Sequence, residues 1–237
     1  NNYVFQKKNE FVFTAAKTGK IVKKSNLENL QKAYPQLQRM PYIQEVDASS
    51  LTFRTKNTIE VFNYITNLKE ASITFDDGAQ NNEYNSKAKA VAYTLDNNLY
   101  VATASNPKLA VTKIEDKNIV SGQAIHRSEF GITKGTFWSP KGNFLAFYQK
   151  DESNVSDYPL VDINSYPASL KNIKYPMAGQ ASERAKIGIF NLKTQKTTYL
   201  DIDTSDEHYL TNLSWTPDEK YVLVAEINRG QNHVWYN

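Results

Sequence analysis

The sequence predicts an all-β fold assembled from repeated antiparallel units, and three observations carry that prediction. Aromatic residues are abundant, with 15 Tyr and 11 Phe against 9 Gly and 2 Met, and flat aromatic side chains suit a pleated, half-buried surface. Short apolar runs separated by polar turns recur along the chain. One motif returns without a gap: Trp138-Ser139-Pro140-Lys141-Gly142-Asn143-Phe144-Leu145-Ala146-Phe147 reappears as Trp215-Thr216-Pro217-Asp218-Glu219-Lys220-Tyr221-Val222-Leu223-Val224. Tyr84-Asn85-Ser86-Lys87-Ala88-Lys89-Ala90-Val91-Ala92-Tyr93 is a worn third copy.

Taken in order, the chain first offers one helix, Leu27–Ala33, with Ser25 as its cap, Glu28 three positions on and Pro35 as its stop. Leu51-Thr52-Phe53, Ile59-Glu60-Val61-Phe62 and Ser72-Ile73-Thr74-Phe75 then read as consecutive strands. The repeated motif is itself a hairpin: an aromatic ends one strand, a polar turn follows, with Pro fixing φ in the two clear copies, and an apolar strand returns. Further strand pairs follow, Leu99-Tyr100-Val101-Ala102 with Lys108-Leu109-Ala110-Val111, and Ile187-Gly188-Ile189-Phe190 with Thr197-Thr198-Tyr199-Leu200. Gln231 to Asn237 is the hairpin partner of Tyr221 to Glu226.

Four short antiparallel strands per unit, recurring along the chain, are the signature of β-propeller blades. A blade takes roughly 40 to 50 residues, and both intervals between the motif copies are longer. The surplus must be insertions, the largest from about Lys150 to Ala185, which carries Pro159, Pro167 and Pro176 and reads as an extended excursion on one face of a blade. The visible repeats suggest about four blades and the length allows roughly five at most, so the chain is expected to be a partial arc of a larger ring, because an open ring leaves exposed edges.

Composition excludes several function classes. The 237 residues include no Cys, so a disulfide framework, a thiolate zinc site and a cysteine nucleophile are ruled out. The 28 basic and 25 acidic residues are interleaved, with a net charge of +3, and no dense cationic face for nucleic acid is legible. No apolar run approaches the roughly 20 residues that span a bilayer, and Asn1 to Phe5 has no signal-peptide pattern. There is no Gly-x-Ser-x-Gly elbow, Gly131 and Gly135 flanking Thr133 instead, no His-Glu-x-x-His and no phosphate-binding loop. No catalytic residue, metal ligand or cofactor is therefore expected. Asn154-Val155-Ser156 and Asn212-Leu213-Ser214 match the glycosylation pattern at a level close to chance.

The informative segment runs from Gly122 to Pro140 and places His126, Arg127 and Glu129 within four positions, just before a blade strand. By composition alone it is a solvated loop, with an Arg–Glu pair worth well under about 1 kcal/mol. Together with Phe144-Leu145-Ala146-Phe147-Tyr148, Asp151-Glu152-Ser153, Tyr158-Pro159-Leu160-Val161-Asp162 and Tyr175-Pro176-Met177-Ala178-Gly179, it resembles the amino-terminal propeller of the dipeptidyl peptidase IV family. The likeness is closest to the branch containing bacterial prolyl tripeptidyl peptidases. It is dense from about Val120 to Asn232 and thin before Asn81.

That resemblance implies that residues 1–237 form the amino-terminal part of an eight-bladed propeller, with an α/β-hydrolase domain and its Ser-Asp-His triad beyond Asn237. The implied parent is a serine peptidase that removes Xaa-Pro or Xaa-Xaa-Pro units from peptide amino termini. It implies a peptide substrate with a free amine and a nearby proline, a possible homodimer, and a periplasmic, cell-surface or secreted location. Glu129 matches the family's amine-binding acid through Phe130 and the Trp138-Ser139-Pro140 turn, with Arg127 and Ser128 as its companions in substrate binding. Family members usually carry adjacent glutamates where this chain has Ser128 before Glu129, which tilts the expected product towards a tripeptide. The other reading open to the sequence is a free-standing propeller module that binds a peptide, glycan or protein partner.

Overall fold

The computed structural model describes residues 2–203 and 205–237. They fall into two compact units, Asn1–Asp77 with Thr103–Pro107, and Gly78–Ala102 with Lys108–Asn237.

In the first unit, strands β1 (Asn2–Lys7), β2 (Glu10–Ala15) and β3 (Ile21–Asn26) form an antiparallel meander. Helix α1 (Leu27–Ala33) follows, and then β4 (Ile43–Val46), β5 (Ser50–Thr55), β6 (Thr58–Asn63) and β7 (Leu68–Thr74) make a four-stranded sheet in sequence order. The helix packs its one buried residue, Leu30, into a core with Phe11, Phe53 and Phe62. Tyr34, just past it, meets Phe53 edge-on at 5.1 Å and donates its hydroxyl to Val61 O. The expected helix is present, but its cap is Asn26, whose Oδ1 accepts from Asn29 N at 3.0 Å. Ser25 belongs to β3 and is fully buried, so its side chain faces the core and not the helix start.

The second unit holds three sheets of three or more strands. Strands β8 (Gln80–Asn85), β9 (Ala90–Leu95), β10 (Asn98–Thr103) and β11 (Leu109–Ala110) form the first. The second comprises β12 (Ile119–Ser121), β13 (Thr136–Trp138), β14 (Phe144–Asp151), β17 (Arg184–Asn191) and β18 (Lys196–Tyr199). Both β12 and β13 pair with β14, at opposite ends of it. The third is β19 (His208–Trp215), β20 (Val222–Asn228) and β21 (Val234–Tyr236). Inner strands β9 and β14 are buried on both faces, as stacked blades require; their sequences therefore read as nearly continuous apolar runs.

The three motif copies adopt one register. Tyr84 lies opposite Val91, Trp138 opposite Leu145 and Trp215 opposite Val222. Between copies the turns interlock. Gly142 has φ +78°, and a Cβ there would sit 2.3 Å from Ala88 N in the preceding motif's turn. In turn, Glu219 accepts from Lys141 N at 2.6 Å and Asn143 Nδ2 at 2.7 Å.

The insertion between β14 and β17 is more regular than an extended excursion. Its core is a separate antiparallel hairpin of β15 (Asp157–Asp162) and β16 (Ser169–Lys174), mostly exposed. Pro159 sits inside β15, where a two-stranded ribbon has outer positions that need no N–H donor. The described residues thus form five sheets of three or more strands and this hairpin, against about four blades expected. The additional sheet is the first, β1 to β3, in which the sequence offered neither the aromatic-turn motif nor a strand run.

Candidate functional site

The segment between β12 and β13 is built as a loop with a pinned base. Gly122 N donates to Tyr148 O at 2.8 Å, and Tyr148 N donates to Gly135 O at 3.0 Å. Gly135 packs so closely that a Cβ would lie 2.2 Å from Gln123 O, so no side chain fits there. Above this base, Ile125 and Ile132 are both buried in the core with Tyr148 and Leu210, and they bracket a tight turn at His126–Gly131.

The turn is conformationally unusual. His126, Arg127, Ser128 and Phe130 all have φ between 52° and 64°, and only Glu129 is extended, at φ −64° and ψ 166°. Each left-handed non-glycine residue costs on the order of 1–2 kcal/mol. At the ends of the turn Ser128 N donates to Ile125 O at 3.1 Å and Ile132 N to Glu129 O at 3.0 Å. Further constraint comes from outside.

That constraint is a buried socket around His126. Its backbone N–H donates to the Glu183 carboxylate, and its Nε2 accepts from Leu210 N at 3.1 Å. Nε2 being an acceptor puts the ring proton on Nδ1, which lies 3.9 Å from Glu183 Oε1 and makes no hydrogen bond. Burial first, and then the neighbouring His208, Lys150 and Arg229, lowers the pKa of His126 to about 4, so the ring is neutral at ordinary pH. Glu183 in turn faces Lys150 Nζ at 3.6 Å, and Lys150 donates to Glu152 at 2.8 Å. From the side, the Tyr209 ring lies 5.0 Å from both His126 and Phe130, and Arg229 Nη1 donates to the Tyr209 hydroxyl at 2.6 Å.

The three residues singled out from the sequence lie together on the exposed rim of this turn. Glu129 is exposed, and its carboxylate has no hydrogen bond or ion pair among the described residues. Arg127 is not its partner: the guanidinium stacks over the Tyr175 ring at 5.0 Å, which ties the turn to the end of the inserted hairpin. Ser128 is exposed, with its backbone used inside the turn. The result is an unneutralised carboxylate held on a rigid, strained support, suited chemically to a cationic ligand. Among the described residues no cluster of His, Asp and Glu could hold a metal ion, and no helix is long and apolar enough to cross a membrane.

The model of the family described as the dipeptidyl peptidase IV (DPP IV) N-terminal region matches residues 25–237. The chain belongs to that family. A crystal structure of a candidate dipeptidyl aminopeptidase IV from Bacteroides ovatus superposes with a TM-score of 0.88 and 39% identity, over 99% of this chain and 33% of that one. Dipeptidyl peptidase 4 of Porphyromonas gingivalis shares the fold at a TM-score of 0.68 with 19% identity, over 99% of this chain and 36% of that one. Among curated relatives, proteins of Talaromyces marneffei and Phaeosphaeria nodorum named dipeptidyl-aminopeptidase B are each 27% identical, over 60% and 62% of this chain. The chain spans 18% of the length of those two relatives.

Membership in the DPP IV N-terminal family agrees with the propeller-type blades described above. Sequence reasoning located the exposed rim of the site but not its support. His126 is legible as the imidazole of the His126, Arg127 and Glu129 cluster but without a partner, and Glu183 lies 57 positions from it inside an insertion with no repeat signal. Tyr209 and Leu210 arrive from another blade. The buried pair Ile125 and Ile132, flanking a polar stretch, is the one sequence signal that marks where the turn is anchored.

Proposed function

We propose that this chain is the substrate-gating propeller region of a serine exopeptidase that removes Xaa-Pro or Xaa-Xaa-Pro units from peptide amino termini. Glu129 binds the substrate's free ammonium, with Arg127 and Ser128 beside it. The observation that carries this reading is the exposed, unpartnered Glu129 carboxylate on a turn whose backbone is constrained on both sides. A fixed opposite charge orients a peptide by its amino end and sets how many residues reach the reacting bond, and it disfavours blocked or internal segments. Catalysis belongs to an α/β-hydrolase domain beyond residue 237, bearing the Ser-Asp-His triad, and needs no cofactor. Ser128, in place of a second acid, favours a tripeptide product. The parent protein is bacterial, acts in the periplasm or at the cell surface, and pairs as a homodimer.

The test is Glu129→Gln in the full-length protein, which keeps shape and removes charge. The expected kcat/KM for free-amine peptides falls by roughly ten- to a thousandfold, while amino-terminally acetylated peptides change little. An unchanged rate on free-amine peptides overturns the amine-binding role. A downstream frame without a Gly-x-Ser-x-Gly segment overturns the peptidase reading in favour of a binding module.

A further inference from the structure

We propose that Glu183 is a positioning residue for the amine-binding turn, holding Glu129 in place through the backbone N–H of His126. The proposal rests on the reading of Glu129 given above.

Among the described residues the Glu129 carboxylate has no hydrogen-bond or ion-pair partner to place it, so its location is set by the backbone on which it stands. That backbone includes three consecutive left-handed residues before Glu129 and two more after it, the last a glycine, a run that relaxes unless its ends are held. On the far side, Ile132 enters the core. On the near side the hold is at His126, the first of the left-handed residues, which is 5% exposed. Its N–H donates to the carboxylate of Glu183, whose side chain is 4% exposed.

The support beneath Glu183 is stiff. The residue directly precedes β17, whose first two residues, Arg184 and Ala185, pair with Asp151 and Lys150 of β14. Lys150 then faces the Glu183 carboxylate from that neighbouring strand, while its own stronger contact is with Glu152. One carboxylate thus joins a central strand to the first residue of the turn. A buried acid that accepts a backbone N–H and lies at ion-pair distance from an ammonium group is restricted in position, and the turn inherits that restriction. Support of this kind, from rigid sheet to binding group, separates a held charge from a loose one.

The experiment uses the full-length protein and compares Glu183→Ala, Glu183→Gln and Glu152→Gln, with Glu129→Gln alone and combined with Glu183→Ala. Glu183→Ala is expected to raise KM for free-amine peptides about tenfold, with kcat within about threefold of the parent. Hydrogen exchange at the amides of residues 126–132 should quicken. Glu183→Gln, whose amide oxygen still accepts the His126 N–H, should recover most of both effects. Glu152→Gln disturbs the same buried charges but leaves the acceptor of the His126 N–H in place, so its effect on KM and loop exchange should be clearly smaller than that of Glu183→Ala.

In the Glu129→Gln background, Glu183→Ala should add no further loss, since its route to substrate is already cut. If it adds the same factor there, or if loop exchange does not respond, the positioning role is wrong. Should Glu129→Gln itself leave free-amine peptides unaffected, the amine reading falls, and the exchange measurement still decides whether Glu183 holds the turn. Where the alanine variant folds poorly, Glu183→Asp serves: it keeps the charge but withdraws the oxygen from His126 N, and the same loosening is expected.

Discussion

Trp138 and Trp215 make the same hydrogen bond from the same place in two neighbouring sheets. Trp138 Nε1 donates to Glu83 O at 3.3 Å, and Trp215 Nε1 donates to Phe137 O at 2.9 Å. In each case the acceptor is the residue just before the motif's aromatic in the preceding copy. The repeat in the sequence is therefore also a repeat in how one blade is tied to the next. Trp138→Phe and Trp215→Phe should each keep most of the packing and lose one such tie, costing about 1 kcal/mol in denaturant unfolding. A loss confined to one of the two variants would mean that the copies are not equivalent.

Gly142 should tolerate no side chain. Alanine there would need a left-handed φ and would also meet the Ala88 backbone at 2.3 Å, so Gly142→Ala is expected to destabilise by about 2–4 kcal/mol. The same substitution at Gly131, which also has positive φ but nothing within 4 Å of a Cβ, should cost only about 1 kcal/mol. Thermal unfolding of the two variants separates strain from collision.

Stability should fall as pH drops from about 6.5 to about 4. The native state keeps His126 neutral, with its pKa lowered to about 4 by burial and by His208, Lys150 and Arg229. The unfolded chain takes up that proton near the ordinary value of 6.5. Protons in this window thus bind the unfolded state more, and lowering the pH favours unfolding by up to about 3 kcal/mol. Asp203 and Asp218, whose pKa values hydrogen bonds lower, add their loss only below the usual carboxylate range. Urea titrations at pH 7, 5.5 and 4 should show the step in the parent and a flattened one in His126→Gln.

Arg127 and Ser128 should matter far less than Glu129 for substrate. Arg127→Ala removes an exposed stacking contact with Tyr175, worth about 0.5–1 kcal/mol. Its expected effect is a looser hairpin end, read as faster proteolysis around residues 157–175, with kcat/KM changed less than about fivefold. Ser128→Ala should change kcat/KM less still. A hundredfold loss in either variant would assign that side chain a direct contact with substrate.

The chain by itself should not hydrolyse chromogenic Xaa-Pro or Xaa-Xaa-Pro substrates, because its sequence contains no nucleophile elbow. Turnover that persists through rigorous purification would place catalytic groups within these 237 residues.

The sequence by itself determined the strand-turn-strand units, because their signals are local: an aromatic at a strand end, a turn residue with the right φ, and an apolar return strand. It also set Glu129 beside His126 and Arg127 in one short polar segment, and the density of motif from Val120 onward carried the family resemblance. Only the tertiary structure decided that Asn26 and not Ser25 caps α1, since the choice depends on which side chain the core takes up. It alone turned the Lys150 to Ala185 insertion into a hairpin whose Tyr175 claims Arg127. It alone joined His126 to Glu183, Leu210 and Tyr209. Those groups lie far apart along the chain and meet only because β14, β17 and β19 bring them around one turn, and no local pattern encodes a partner that a different strand supplies.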